Sequence, residues 1–142
     1  MKTIYWRQIS RPGDGLHVAT IELRSAQTPR MHRHDFYECF LILEGSGQQL
    51  TDYGSEPLVQ NTLYFVRPEQ AHYIQGKREL VFTNIAFERS LLETQLATAA
   101  FPDRCWDPQL AIQHLQLSKS QCHEIVQAAS DAARSPSQRD AA

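Results

Sequence analysis

This sequence lacks a basic surplus, paired cysteines and long apolar runs, and each absence narrows what the chain can do. Lys and Arg number 14 against 16 Asp and Glu over 142 residues, a formal net charge of -2. A domain that grips nucleic acid by neutralising phosphates carries a basic excess, so this stretch is not expected to touch DNA. The three cysteines, Cys39, Cys105 and Cys122, show no CxxC spacing. An odd, sparse set argues against a disulfide framework and for reduced structural thiols, hence a cytoplasmic location. The N-terminal MKTIYWRQIS has no apolar stretch of signal length, and no window approaches a membrane span. Internal repeats and low-complexity segments are missing as well. The length suits one domain with one sizeable core.

What is present concentrates between Arg30 and Gly45, RMHRHDFYECFLILEG. His32, His34 and Glu38 fall on even positions, so on an extended strand their side chains share one face. Two imidazoles and a carboxylate on one face are a ready partial shell for a divalent metal. The apolar run Cys39 to Leu43 follows and reads as a buried strand. Gly45-Ser46-Gly47 then predicts a tight reversal that sends the chain back antiparallel.

Elsewhere, short strands alternate with turn signals. Thr3 to Ile9 reads as a strand or a loose arm, and Leu16 to Leu23 as a strand covered on both faces. Tyr37 to Glu44 and Gln48 to Tyr53 are expected as a hairpin. Glu56 to Gln60 is a weak strand that Pro57 places at an edge. Thr62 to Val66, His72 to Gln75 and Leu80 to Phe87 complete the series, with turns at Asn61 and Gly76-Lys77-Arg78. Such spacing indicates a sandwich or barrel. After Phe87 the period becomes helical, with Leu91, Leu92, Gln95, Leu96 and Ala99 on one stripe. Asp107-Pro108 suits a short helix start. Ser118 and Gln121 form a capping box that launches a helix from Lys119 to Ala133, with an apolar stripe of Cys122, Ile125, Val126, Ala129 and Ala133. Ser135-Pro136-Ser137 stops it. The expected organisation is a β unit over 1–87, a helical appendage over 88–135, and a tail or linker start over 136–142.

The order HxH, three residues, Glu, six residues, Gly resembles the first motif of the cupins. Pro68-Glu69-Gln70-Ala71-His72 is similar to their second motif, with Glu69 where glycine is frequent. Through RMHRHDFYECFLILEGSG and LYFVRPEQAH the chain resembles the effector-sensing N-terminal domains of AraC-type transcription regulators. Within that family it is most similar to the chitobiose-operon type. The resemblance implies a mostly β fold, a cupin double-stranded β-helix (jelly-roll-like) barrel followed by C-terminal α-helices. It also implies that His72 faces His32, His34 and Glu38. Three imidazoles and a carboxylate suit Zn, Fe, Mn, Ni or Co and are poor for Ca or Mg. The implied partners are a small-molecule effector, in this family a saccharide, and a second copy of the chain. The resemblance assigns DNA contact to a further domain with helix-turn-helix units.

Each assignment has a plainer counterpart. The four residues can line a small-molecule pocket without metal. Phe36 and Phe40 share parity with His34 and Glu38 and face the same interior, Phe40 as core packing first of all. Tyr64 is a further candidate ligand contact, Arg30 and Arg67 can meet an anion at the mouth, and Trp6 can fold over the opening or pack at a sheet edge. His17, His114 and His123 have no such spacing. The helix from Lys119 pairs with its equivalent in a dimer or covers the outside of the sheet. As an alternative to sensing, an intact shell of this kind serves a stand-alone metal-dependent dioxygenase or isomerase.

Overall fold

The computed structural model describes residues 1–11, 13–23, 30–98 and 114–134, with side chains to residue 94 in the third segment. The Asp107-Pro108 helix start, the Ser135-Pro136-Ser137 stop, Cys105 and the tail lie outside the described residues. In chain order the elements are β1 (Lys2–Ile4), α1 (Trp6–Ile9), β2 (Leu16–Leu23), β3 (His32–His34) and β4 (Tyr37–Thr51). There follow β5 (Gly54–Leu58), β6 (Thr62–Val66), β7 (His72–Phe87), α2 (Arg89–Thr98), β8 (His114–Gln116) and α3 (Lys119–Ala132). No helix among the described residues is long and apolar enough to cross a membrane.

The strands form one sheet in the order β1-β3-β7-β4-β6-β8, with β2 added on β7 and β5 on β4. Among the described residues no ladder joins the outer strands β1 and β8. The sheet is therefore open, and the expected closed jelly-roll barrel is corrected to a mixed β-sheet and α-helix fold. The reason lies in two glycine-bearing segments read as reversals. Residues 45–47 and 76–78 run inside β4 and β7, which pair antiparallel from Tyr37 opposite Phe87 to Thr51 opposite His72, with register shifts between Ile42 and Gly47. The expected hairpins are two long bulged strands. Gly45 adopts φ +84°, and a Cβ there would sit 2.0 Å from the Glu79 carbonyl oxygen. Only glycine allows that conformation and approach, which is what a bulge needs.

The bulge also exchanges the faces of β4. Before it, even residues Phe40 and Ile42 are buried with Tyr64, Val66, Leu80, Phe82, Leu58 and Ile74, and Ile21 and Leu23 pack against them. After it, odd residues Gly47 and Gln49 are the buried ones. The opposite face carries Cys39, Leu41, Leu63 and Ile85, with Leu16 and Val18 of β2 beside them. Fully burying side chains such as Leu41 or Phe40 stabilises the fold by about 1.5–3 kcal/mol each.

Ser118 Oγ accepts from the Gln121 amide at 3.0 Å, and Gln121 Oε1 accepts from the Ser118 amide at 2.9 Å. This reciprocal cap starts α3, as the sequence predicts. Its stripe of Cys122, Ile125, Val126 and Ala129 seats on the Cys39/Leu41/Leu63/Ile85 face. α3 is anchored there by Asn61, whose carbonyl accepts from the Leu117 amide at 2.8 Å.

Candidate metal centre

β3 lies antiparallel on β7 with His32 directly opposite His72. Side chains of opposed residues point to the same side, and His34, two residues on, shares that side. The metal-ligating nitrogens of His32, His34 and His72 all lie within 4.8 Å of one another. This cluster is positioned to chelate a divalent metal. Glu38 enters from the start of β4, its Oε2 2.5 Å from His34 Nε2 and 3.4 Å from His72 Nε2. The two Nε2 atoms are themselves 3.0 Å apart. His34 and His72 are buried and His32 sits at the edge, partly exposed.

The far nitrogens decide what the near ones can do. His32 Nδ1 lies 2.9 Å from the Arg30 carbonyl oxygen, His34 Nδ1 3.4 Å from that of Phe36, and His72 Nδ1 2.8 Å from Gln49 Oε1. Carbonyl oxygens only accept, so each Nδ1 carries the hydrogen and donates it. Each Nε2 is left with its lone pair turned toward the others. The Glu38 Oε2 atom is then buried with no donor. The lone pairs of His34 and His72 meet the carboxylate oxygen with no hydrogen among them, and the His32 nitrogen lies within 4.8 Å of theirs. Buried acceptors left so are costly, and a cation at their centre is what satisfies them. A donor set of three imidazole nitrogens suits Zn, Fe, Mn, Ni or Co.

Burial alone would push the Glu38 carboxyl up, but the imidazoles of His34 and His72 beside it outweigh burial and hold the group well below the usual carboxylate range. Burial lowers His32, with the neighbouring imidazoles adding to the effect, so its ring is neutral at pH 7 and free to ligate. Cys39 is adjacent in sequence, yet it sits on the other face, and burial pushes its thiol up to about 12. It stays a protonated packing residue.

The other candidates divide. Phe36 is buried and stacks on the His34 ring at 4.6 Å between centroids. Trp6 meets Phe36 edge-on at 5.5 Å, and its amide donates to Asp35 Oδ1 at 2.7 Å. The N-terminal segment is thus pinned beside the cluster. Tyr64 lies in the apolar core, stacked on Phe40 at 5.2 Å, with its hydroxyl donating to the Pro57 carbonyl at 3.2 Å and accepting from the Val59 amide at 2.9 Å. Phe40 is core packing. His114 on β8 is exposed, and Arg67, with Pro68 to Ala71, lines a cleft of about 480 Å³. Gln49 was not legible in the sequence: the bulge hides its parity, and the only signal is a polar pair, Gln48-Gln49, inside a strand.

Against known proteins, residues 16–141 match the family described as the AraC-like ligand binding domain. The chain belongs to that family. Its AraC-like domain is 33% identical over 60 residues to an uncharacterised HTH-type transcriptional regulator, YfiF, of Bacillus subtilis (strain 168), covering 42% of this chain and 19% of the relative. It is 32% identical over 68 residues to the HTH-type transcriptional activator RhaS of Yersinia pestis (strain Pestoides F), covering 47% and 25%. The match therefore spans a fifth to a quarter of these relatives' length. Among solved structures, ToxT of Vibrio cholerae bound to an unsaturated fatty acid gives a TM-score of 0.61 at 11% identity, over 82% of this chain and 46% of ToxT. ToxT bound to (E)-4-(8-methylnaphthalen-1-yl)but-3-enoic acid gives 0.59 at 9%, over 85% and 51%. At those identities the likeness is one of fold. These comparisons reach the family and no particular sub-type.

Proposed function

We propose that this AraC-like domain senses a small polar effector, of the saccharide class, at a divalent metal held by His32, His34, Glu38 and His72. The observation that carries the reading is the gathering of the ligating nitrogens of His32, His34 and His72 within 4.8 Å of one another, with Glu38 Oε2 beside the Nε2 atoms of His34 and His72 and every Nδ1 already engaged. A metal there would supply a Lewis acid able to take a ligand hydroxyl or carboxylate. The chain's own residues would fix the ring tautomers through Arg30, Phe36 and Gln49 and keep Glu38 ionised. His32, at the exposed edge, would mark the side from which a ligand arrives. The saccharide class is supported by the polar character of the cluster and by the motif likeness to chitobiose-operon regulators. ToxT, which shares the fold, is described with an unsaturated fatty acid, so a fatty acid is the competing ligand to test.

The same reading places the domain in a cytoplasmic transcription regulator that acts as a homodimer and reaches DNA through a separate domain. The support is the family membership and the HTH-type relatives. Because the α3 stripe is seated on its own sheet, the dimer seam falls to the outer face of α3 and to exposed Leu115. Elemental analysis of untagged protein, followed by calorimetric titration with neutral sugars and with fatty acids, tests the proposal. Near-stoichiometric metal and sugar binding that His34→Ala removes are expected. Metal-free protein after dialysis against Zn, Fe or Mn, or fatty acid binding alone, would overturn it.

A further inference from the structure

The row of polar groups that begins at His72 continues through Gln49 to the outer strand β5. Gln49 on β4 stands opposite Glu56 on β5 and opposite Ile74 on β7. His72 lies one side-chain repeat before Ile74, so it is the diagonal neighbour of Gln49 on the same face. Gln49 is wholly buried, whereas the Glu56 side chain keeps 30% of its surface exposed. Glu56 Oε1 accepts from Gln49 Nε2 at 3.4 Å, and Gln49 Oε1 accepts from His72 Nδ1 at 2.8 Å. The other oxygen of Glu56 turns outward, 3.8 Å from Nδ1 of exposed His114 on β8.

A primary amide has one donor end and one acceptor end of nearly the same shape, so packing alone does not decide which end meets His72. Turned half round, Gln49 would set its NH2 on His72 Nδ1, and the ring hydrogen would belong on Nε2. That nitrogen lies 3.0 Å from His34 Nε2 and 3.4 Å from Glu38 Oε2. Either atom accepts the hydrogen, so the cluster would satisfy itself and lose one ligating lone pair. The same side chains therefore have two arrangements, one open to a metal and one closed to it. The group at the far end of the amide separates them. An ionised carboxylate only accepts, so it holds the amide nitrogen and rejects the amide oxygen. Two acceptors set face to face would leave a buried group unsatisfied.

We propose that Glu56, on an outer strand and outside the cluster, is the positioning residue that keeps His72 competent to bind metal, by fixing the direction of the Gln49 amide. The inference rests on the metal-centre reading above and extends it to a residue that ligates nothing. Glu56→Gln keeps the shape but offers a donor as well as an acceptor, so it would pair with Gln49 in either direction and the bias would go.

The test uses the whole chain with isotope-labelled histidine, metal-free and at about pH 8. Nuclear magnetic resonance of the ring nitrogens reports which one carries the hydrogen, and Zn affinity is read by competition with a chromogenic chelator. In the wild type the His72 hydrogen is expected on Nδ1. Glu56→Gln should give a mixture with the Nε2 form and weaken Zn binding by about 10- to 100-fold. The double variant Gln49→Glu/Glu56→Gln restores a single direction, with an acceptor-only group on His72 and a donor behind it. It should return the hydrogen to Nδ1 and Zn affinity to near the wild-type value. A wild-type His72 with its hydrogen on Nε2 would overturn the proposal. So would Glu56→Gln with unchanged ring signals, or a double variant as impaired as the single one, which would make Glu56 merely structural. Should the single variant not fold, the wild-type ring and the double variant carry the same test. A wild-type chain that takes up no Zn removes the metal reading alone, and the ring signals of the metal-free chain then decide this inference.

Discussion

Gln49 Oε1 lies 2.8 Å from His72 Nδ1, and Gln49 is wholly buried. One amide from the far side of the β4 bulge therefore sets which nitrogen of His72 faces the cluster. Its own Nε2 donates to Glu56 Oε1 at 3.4 Å, which fixes the amide's orientation.

Removing that acceptor should loosen metal without touching a ligand. Gln49→Leu is expected to weaken metal affinity by about 10- to 100-fold. Gln49→Glu, which keeps an acceptor, should restore most of it. Competition with a chromogenic chelator measures both. Equal affinity in all three proteins would remove Gln49 from the site.

Acid should destabilise the metal-free chain. The folded pKa of His32 lies below its ordinary 6.5. Between those values the unfolded chain binds more protons, so this contribution is present above pH 6.5 and lost as pH falls below it. Glu38 is depressed below its ordinary 4.5, so its contribution is present above 4.5 and lost on the way down to its folded value. Tm measured from pH 8 to 3 should be level at first, decline below about 6.5, and steepen below about 4.5. A Tm that rises on acidification would contradict both assignments.

Glu69 adopts φ 67°, and its amide donates to the His34 carbonyl at 2.9 Å. Left-handed backbone disfavours residues with a Cβ by about 1–2 kcal/mol. Glu69→Gly should therefore stabilise the chain by about 0.5–1 kcal/mol, the entropy of a freer unfolded chain offsetting part of the gain. Urea melts would show a higher midpoint with an unchanged slope. A lower midpoint would mean that the Glu69 side chain holds the loop.

Gly45→Ala tests the bulge. The added methyl would meet the Glu79 carbonyl at an impossible distance and also sit at positive φ. A loss of about 2–4 kcal/mol is expected, whereas Gly54→Ala, with open space around it, should lose less.

Ile125→Asp places a carboxylate against Cys39, Leu41 and Leu63. A loss of about 2–3 kcal/mol within the single chain is expected, visible as a lower Tm at concentrations where light scattering reads monomer. If the variant keeps its Tm and loses only a dimer, α3 is seated on a second copy.

The local devices were legible because short-range chemistry determines them. The α3 capping box, β2 and β6 stand where their residues predict, and the parity of His32 and His34 puts both on the side of His72, whereas Glu38 arrives from β4, after the chain bends at Asp35-Phe36. Long-range pairing was not legible. Gly45, Gly47 and Gly76 suit a reversal and a bulge equally well, and only the partner strand decides. That single ambiguity converted two hairpins into two long strands and hid Gln49.

Thr51 and His72 end the β4·β7 ladder nearest the intervening chain, while Tyr37 and Phe87 stand at its open end. Closing a short loop costs less entropy than closing a long one, so zippering that starts at Thr51/His72 and runs outward is the cheaper order of assembly. We expect Leu50→Ala and Tyr73→Ala to slow refolding and Phe87→Ala chiefly to hasten unfolding, which stopped-flow kinetics would separate. The reverse pattern would place the folding nucleus at the Phe87 end. In the expected order His72 and Gln49 are set first, whereas Glu38, opposite Ala86 beside the open end, reaches the histidines last, so the carboxylate is the part of the cluster that arrives last and leaves first.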